Sequence, residues 1–258
     1  MLRHAMHTAL FVLALMSADA AAQDSPRYVK IAAGVSYLED TRNGGRTTAP
    51  FDPGLIEGQL TQGGAYVFET VYDDGPFAAL AFGKTTPYGP FRSEVELVFT
   101  RSEIARHENF QTLGTLIDPL DAAVLLGQDE PVGFSAGSIL ARDGGNIKTI
   151  SLMINFYHDL RPMGKGIRPY WGSGVGPTWA DFNFRPGDIE LVDDNVFLLG
   201  YQAMAGLAYD FSKTSAIVLG GRYLAAAEAK IQTEDLIASD LKLEIEQLVA
   251  EIGWQFRF

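Results

Sequence analysis

The stretch that decides the fold is QLVAEIGWQFRF, residues 247–258. Apolar and aromatic residues occupy every second position, and mostly polar or small residues occupy the others. One face therefore carries Leu248, Ala250, Ile252, Trp254, Phe256 and Phe258, and the other carries Gln247, Val249, Glu251, Gly253, Gln255 and Arg257. Successive side chains of a β-strand point to opposite faces, so this alternation predicts a strand with one broad apolar face.

Seven more stretches alternate in the same way, and most have the length of about ten residues that a tilted strand needs to cross a bilayer. They are residues 28–38, 77–84, 91–100, 147–158, 168–182, 196–211 and 215–224. Three short connections (85–90, 159–167 and 210–214) alternate with four long ones (39–76, 102–146, 183–195 and 225–240). Short turns at one rim and long loops at the other are typical of an outer-membrane barrel. The sequence predicts an all-β, eight-stranded antiparallel transmembrane β-barrel with short periplasmic turns and long extracellular loops.

The distribution of bulk between the two faces indicates which face points outward. Small and charged residues share one face of most stretches, and aromatic and aliphatic residues share the other. Because eight strands enclose only enough space for side chains, we expect the small and charged face inside and the apolar face in lipid. The alternative is a soluble lipocalin-like barrel or sandwich with its bulky face inward.

Composition excludes several classes of protein. The 258 residues include no cysteine, so disulfides, thiolate metal sites and cysteine nucleophiles are excluded. The formal charge of −12 argues against a nucleic-acid partner, which needs a concentrated basic face. No segment after the N-terminal stretch has 18 continuous apolar residues, so entry into a membrane requires strands.

The N-terminal stretch has the pattern of an export signal. Arg3 precedes the apolar run 9–16, and small residues follow before Gln23. We predict a cleaved signal peptide over 1–22, with cleavage between Ala22 and Gln23 and an alternative site after Ala20. A barrel domain then covers 23–258. A membrane-anchoring helix is the other interpretation, but the apolar run is far shorter than the roughly 20 residues that a spanning helix needs.

Six charged residues fall on faces predicted to line the lumen. They are Arg92, Glu94, Glu96, Arg222, Glu251 and Arg257. Unpaired charges in a narrow barrel are costly, so three positive and three negative groups should pair across the lumen. The set is either a stabilising plug or the lining of a gated polar pore, and the narrow bore of eight strands favours the plug.

Nothing in the sequence indicates catalysis or a bound metal. Beyond the signal segment, His107 falls in a long predicted loop, where we expect it to be solvated, and His158 ends a strand and points outward near a membrane rim. We predict no enzyme activity, no cofactor and no metal site. The acidic long loops are either simply solvated or bind divalent cations that bridge to lipopolysaccharide.

Three motifs together resemble the small Gram-negative outer-membrane β-barrel proteins of the OmpA-like, opacity-protein and surface-antigen superfamily. They are RPYWGSGVG at 168–176, GGRY at 220–223, and the terminal Trp254, Phe256 and Phe258. The resemblance implies an outer-membrane location among lipid and lipopolysaccharide. It also implies that the terminal aromatic strand is read by the barrel-assembly machinery.

The same resemblance implies a non-enzymatic surface antigen with an envelope or adhesion role. An extracellular ligand would bind through the loops. The alternative is a porin-like narrow channel for small or apolar solutes. A helix-compatible patch at 118–128, within the long second loop, is expected over the barrel mouth.

Overall fold

The computed structural model describes residues 26–48, 63–86, 89–112, 114–126, 128–142, 144–164, 166–185, 192–233 and 239–258. These residues form eleven strands and two short helices. The strands are β1 (Arg27–Leu38), β2 (Thr41–Thr47), β3 (Ala65–Tyr72), β4 (Gly75–Thr85), β5 (Phe91–Thr112), β6 (Thr115–Leu116), β7 (Gly145–Asp159), β8 (Ile167–Phe184), β9 (Val192–Asp210), β10 (Ser215–Thr233) and β11 (Ser239–Arg257). The helices are α1 (Ala123–Leu126) and α2 (Ala136–Leu140).

The strands close into an eight-stranded antiparallel barrel. The ring runs β1–β4–β5–β7–β8–β9–β10–β11, and β11 pairs back onto β1 from Tyr28 opposite Arg257 to Leu38 opposite Gln247. Strand β2 continues β1 after a break at 39–40, and β3 leads into β4 across a break at 73–74. Each pair thus occupies one strand position of the ring. The predicted barrel and its eight strand positions are confirmed.

An apolar band surrounds the part of the barrel near the short turns. Exposed residues of the band include Ile31, Leu80, Leu97, Ile150, Phe156, Trp171, Phe197, Leu207, Leu219, Ile252 and Trp254. Water would make this much exposed apolar surface unfavourable, whereas lipid makes it the stable arrangement. The small and charged faces point inward as predicted, and the soluble alternative with its bulky face inward is wrong.

Five strand positions continue well beyond this band, which corrects the predicted connections. The segment 39–76 contains β2 and β3 rather than loop alone, β5 continues to Thr112, and β10 and β11 extend to Thr233 and back to Ser239. We call the part made of β2, β3, residues 101–112 of β5, 227–233 of β10 and 239–246 of β11 the extension. It rises on the side of the long connections, which is the extracellular side.

The interior of the extracellular half is apolar, contrary to the uniformly polar lumen expected. Its buried residues come mainly from β3, β5, β8, β10 and β11 and from the second long connection, and include Tyr66, Phe68, Ile104, Phe110, Phe182, Phe184, Ile231, Leu241 and Leu243. Val124 and Leu125 of α1 and Leu140 of α2 belong to the same cluster. The patch predicted at 118–128 therefore supplies part of a cap over the barrel mouth, although among its described residues only α1 is helical.

Asp118 and Asp121 hold this cap in place. The Asp118 carboxylate accepts hydrogen bonds from the backbone N–H groups of Asn109 and Phe110, at 2.7 and 2.9 Å. Asp121 accepts from the backbone of Ala123, Val132 and Gly133, and these hydrogen bonds lower the pKa of the Asp121 carboxyl. Both carboxylates are thus committed to the cap rather than to a ligand.

Two further findings concern the ends of the sequence. No helix among the described residues is long and apolar enough to cross a bilayer. The predicted signal peptide, including the cleavage position between Ala22 and Gln23, lies outside the described residues and stays a prediction. At the other end, Trp254, Phe256 and Phe258 point outward in adjoining positions, with ring centroids 6.3 and 6.4 Å apart along the row.

Candidate functional site in the barrel lumen

Inward-facing positions on four strands bring charged side chains together in the membrane half of the lumen. Lys30 comes from β1, Glu94 and Glu96 from β5, Arg222 from β10 and Glu251 from β11. Each sits on the face opposite the lipid-exposed residues of its strand, because side chains alternate along a strand. All five are buried.

Two cations are shared among three carboxylates in this cluster. The Lys30 ammonium lies 2.9 Å from the Glu94 carboxylate and 3.3 Å from that of Glu96. The Arg222 guanidinium donates two hydrogen bonds to Glu96, at 3.0 and 3.1 Å, and a third to Glu251 at 2.5 Å. This two-point geometry is the strong form of an arginine–carboxylate pair.

Arg92 lies on the periplasmic side of this cluster, between a carboxylate on its own strand and one at the rim. Its guanidinium is 3.1 Å from Glu94 and 3.0 Å from Asp159. It also stacks on aromatic rings, 4.1 Å from the ring centroid of Tyr157 and 5.0 Å from that of Tyr170. The ion pairs and the contacts with ring faces together offset the loss of hydration that burial imposes on Arg92.

The ion pairs continue to the periplasmic rim. Asp159 is 3.8 Å from Arg168, Arg168 is 3.6 Å from Asp210, and Asp210 pairs with Arg257. Positive and negative groups therefore alternate along one path of ten charged side chains. From rim to lumen it runs Arg257, Asp210, Arg168, Asp159, Arg92, Glu94, Lys30, Glu96, Arg222 and Glu251.

Five of the six charges singled out from the sequence meet in the lumen, and the sixth does not. Arg257 lies at the rim, and ion pairs join it to the other five through Asp210, Arg168 and Asp159. Lys30 takes the place that the sequence reasoning gave to Arg257 in the balanced set. The alternation of 28–38 already places Lys30 on the inner face beside Ala32 and Ser36, so the signal was present.

Neutral amides complete the network, and these too were missed. The Asn155 side chain donates to Glu96 at 2.7 Å, and the Gln202 amide donates to Glu96 at 3.1 Å and accepts from Arg222 at 2.9 Å. Both residues face inward from strands whose opposite faces contact lipid. Amides carry no charge, so a search for charged residues alone does not select them.

Inward glycines supply the space that these large polar groups need. A Cβ atom at Gly174 would overlap Oδ1 of Asn155, and one at Gly83 would overlap the ring of Tyr28 and lie 2.8 Å from Cγ of Glu94. The glycine-lined face of β8 is therefore not empty. Its missing side chains are replaced by polar groups that reach across from neighbouring strands.

An apolar layer closes the lumen immediately above the charges. It consists of the next inward residue on each of the four strands that carry the charges, together with residues of β4 and β7: Ala32, Phe77, Ala79, Val98, Met153, Leu224 and Val249. The Arg222 guanidinium stacks on the ring of Phe77 at 4.6 Å. An ion moving along the lumen would have to break the buried pairs and then cross this layer.

His107 is not the solvated loop residue that the sequence led us to expect. It lies on β5 inside the apolar extension, where its Nδ1 is 3.0 Å from the Thr70 hydroxyl and the Asn43 amide donates to that hydroxyl at 2.8 Å. Its ring packs against Phe68 and Phe184 at 5.5 Å. Burial lowers the pKa of His107 to about 4.

His158 lies where it was expected, at the lipid-facing end of its strand. Its ring packs on Phe91 at 5.1 Å and on Trp171 at 5.7 Å. Among the residues that the structure describes, neither His107 nor His158 has a serine or carboxylate partner in the geometry of a catalytic triad. Within the described residues, no group of three or more histidine and carboxylate side chains could hold a metal ion.

The sequence of this chain is similar to that of a known protein family. The model of a family described as surface antigen matches residues 69–258. The chain belongs to this surface antigen family. It is an outer-membrane protein on the combined grounds of family and fold. No curated protein matches the chain.

Solved structures agree with the fold. The outer membrane protein OprG from Pseudomonas aeruginosa is 13% identical, with a TM-score of 0.50 over 91% of this chain and 96% of that one. Neisserial surface protein A is 12% identical, with a TM-score of 0.44 over 90% of this chain and 97% of that one. At such low identity the OprG match supports the barrel architecture alone.

Proposed function

We propose that the chain is a non-conducting, non-enzymatic surface protein whose extracellular extension, rather than its lumen, carries its function. The function is surface recognition or adhesion, with a contribution to envelope integrity. The single observation that carries the proposal is the contrast between the two halves. The membrane half is filled by ion pairs and an apolar layer, and the strands continue beyond it into a capped, folded structure.

The extension has the surface that recognition requires. The outward face of the extension is charged, and in the adjoining cap, made of residues 115–126 and 128–141, Leu116 and Phe134 are 41% and 47% exposed. A rigid scaffold that presents such residues is a common arrangement for binding surfaces. The lipid, the lipopolysaccharide and the barrel-assembly machinery are the other partners of this proposal, as expected for a barrel of this family.

The test uses a deletion strain complemented with three forms of the gene. These are the wild type, a cap variant (Leu116→Ser with Phe134→Ser) and a lumen variant (Glu251→Gln). Attachment of intact cells to a coated surface and uptake of a small hydrophilic dye are measured in each strain, and outer-membrane levels are matched by heat modifiability.

We expect the cap variant to lose attachment with unchanged dye uptake, and the lumen variant to keep both at the wild-type level. Raised dye uptake in the lumen variant together with normal attachment in the cap variant would contradict the proposal. That result would favour the narrow channel instead.

A further inference from the structure

A groove of about 900 Å³ lies on the extension, across β10, β11, β2 and β3. Its lining includes the basic residues Arg42, Arg46, Lys230 and Lys242. Lys230 lies directly opposite Lys242 in the β10–β11 register, and Lys242 lies opposite Gly44 in the β11–β2 register. Because Gly44 has no side chain, the outer surface is recessed at this position, beside the four basic residues that line the groove.

Two lysines facing each other across strands repel unless an anion lies between them. Glu228 neutralises only part of the positive charge of the two lysines, since its carboxylate lies 3.1 Å from Lys242. Among the described residues, Lys230 makes no hydrogen bond or ion pair. The pair of lysines is therefore undercompensated within the protein.

Arg42 likewise makes no hydrogen bond or ion pair within the described part of the chain. Its register partner on β3 is Glu69, but the Glu69 carboxylate accepts a hydrogen bond from the Asn109 amide at 2.7 Å. Arg42 precedes Gly44 by two positions on the same outward face, and both residues line the groove. Arg42 and Lys230 thus flank Lys242 with free donors.

The acidic residues of the groove do not neutralise Arg42 and Lys230. Asp194, Glu228, Asp240 and Glu244 also line it, and they balance the four cations in number. Glu228 is shared with Lys242, while Arg42 and Lys230 have no carboxylate within ion-pair distance among the described residues. A ligand that carries both an anionic group and hydrogen-bond donors therefore suits the groove.

The position of the groove indicates where this ligand comes from. On β11, Lys242 lies beyond Leu248, the last exposed apolar residue on that side of the band. The separation is about 20 Å along the strand, or about 15 Å in height for a strand tilted as in outer-membrane barrels. This is the level of the sugars and phosphates above the outer-leaflet lipid.

We propose that this groove binds a phosphate group of the phosphorylated saccharide of a surrounding outer-leaflet glycolipid, held directly by Arg42, Lys230 and Lys242. A soluble polyanion is disfavoured because the chain carries a formal charge of −12, which repels it on approach. Lipids are held beside the barrel at a high effective concentration and do not face that barrier. The inference rests on the proposed function, which includes lipopolysaccharide as a partner, but the loss of lipopolysaccharide binding and the loss of attachment are measured with different variants and can be told apart.

The test measures binding of lipopolysaccharide to the purified, folded chain in detergent micelles, with EDTA present to remove bridging cations. The probes are lipopolysaccharide with a phosphorylated inner core and the same material after chemical dephosphorylation. The test variant is Arg42→Gln with Lys230→Gln. The control is Arg106→Gln with Arg185→Gln, which removes two exposed charges of the extracellular part outside the groove. Heat modifiability confirms that each variant is folded.

We expect the groove variant to bind the phosphorylated probe about tenfold more weakly than the wild type, and the control to stay within about twofold. The dephosphorylated probe should bind the wild type and the groove variant equally weakly. Equal losses in the two double variants would show that total charge alone matters and would overturn the site. Complete displacement by inorganic phosphate, or tighter binding of a soluble sulfated polysaccharide, would overturn the lipid assignment.

Discussion

The interiors of the two halves of this barrel are filled by different kinds of side chain. In the membrane half the interior is a chain of ion pairs beneath a thin apolar layer, and in the extracellular half it is a cluster of aromatic and aliphatic residues under a cap. Strand β5 shows the reversal directly. Its outward residue Leu97 contacts lipid while Glu96 faces inward, whereas further along Glu103 faces outward and Ile104 inward.

The medium outside each half explains the difference. Lipid requires apolar side chains on the outer face, which leaves the inner face to polar groups that satisfy one another. Water places no such demand on the extension, so the ordinary arrangement of apolar residues inside returns. The point of reversal on each strand therefore marks the outer edge of the membrane.

The largest effect should come from breaking the ion pairs of the membrane half. Arg222→Met leaves Glu96 and Glu251 buried without their main cation, and we expect it to lower the free energy of unfolding by about 5 kcal/mol. Urea titration of the refolded protein measures this. The exposed control Arg106→Met should change stability by less than about 0.5 kcal/mol.

A double variant sharpens this prediction. Adding Glu96→Gln to Arg222→Met removes one of the stranded charges, so the double variant should be more stable than Arg222→Met alone. If the double variant is less stable by the sum of the two single losses, the two side chains are not coupled and the network has been misread.

A slightly smaller loss should follow from a cavity in the extracellular half. Phe182 is fully buried in the apolar cluster, and Phe182→Ala should cost about 4 kcal/mol. The extension should then be cleaved by protease under conditions in which the membrane half stays intact. Simultaneous loss of both halves would show that they do not differ in the way described.

Acid should weaken the extension through His107. Its pKa is about 4 in the folded protein, against 6.5 when exposed, so the folded state favours the neutral ring. The contribution of the neutral His107 ring to the free energy of unfolding is fully present above about pH 6.5. It decreases as the pH drops towards 4, by about 3 kcal/mol at pH 4. Protease resistance of the extension, measured from pH 7 to pH 4, should decline in the wild type and much less in His107→Leu.

The smallest of these effects concerns an inward glycine. Gly174→Ala pushes Asn155 away from Glu96 and should cost about 2 kcal/mol, because a close-packed site has no room for a methyl group. Gly221→Ala is the matched control, since its added Cβ would have no neighbour nearer than 3.6 Å. Equal stability of the two variants would mean that the packing around Asn155 is loose.

The sequence predicts the barrel and most of the lumen because a period of two survives along every membrane-spanning stretch. It fails where that period is interrupted. Register shifts at 67–69 and 71–72 on β3, and the positive φ of 57° at Asn109, disturb the pattern opposite and within upper β5. A bulge between Ala226 and Ala229 does the same on β10, close to where the predicted strand ended.

Strand β2 and His107 were missed for a related reason. The residues TRNGGRT have the composition of a turn, and they form a strand because β3 and β11 offer paired edges on both sides. His107 was assigned to solvent because the strand that buries it was read as a loop. Contacts made through tertiary pairing are not visible in a local pattern.

The most direct test of the closed lumen is single-channel recording of the purified barrel in a planar lipid bilayer. The account predicts no steady conductance for the wild type in 1 M salt, a concentration chosen to give about the highest signal while leaving buried pairs largely unscreened. A stable, ohmic conductance that changes when Arg222 is replaced by lysine would contradict it, because ions would then be crossing the charged layer that the account describes as a plug.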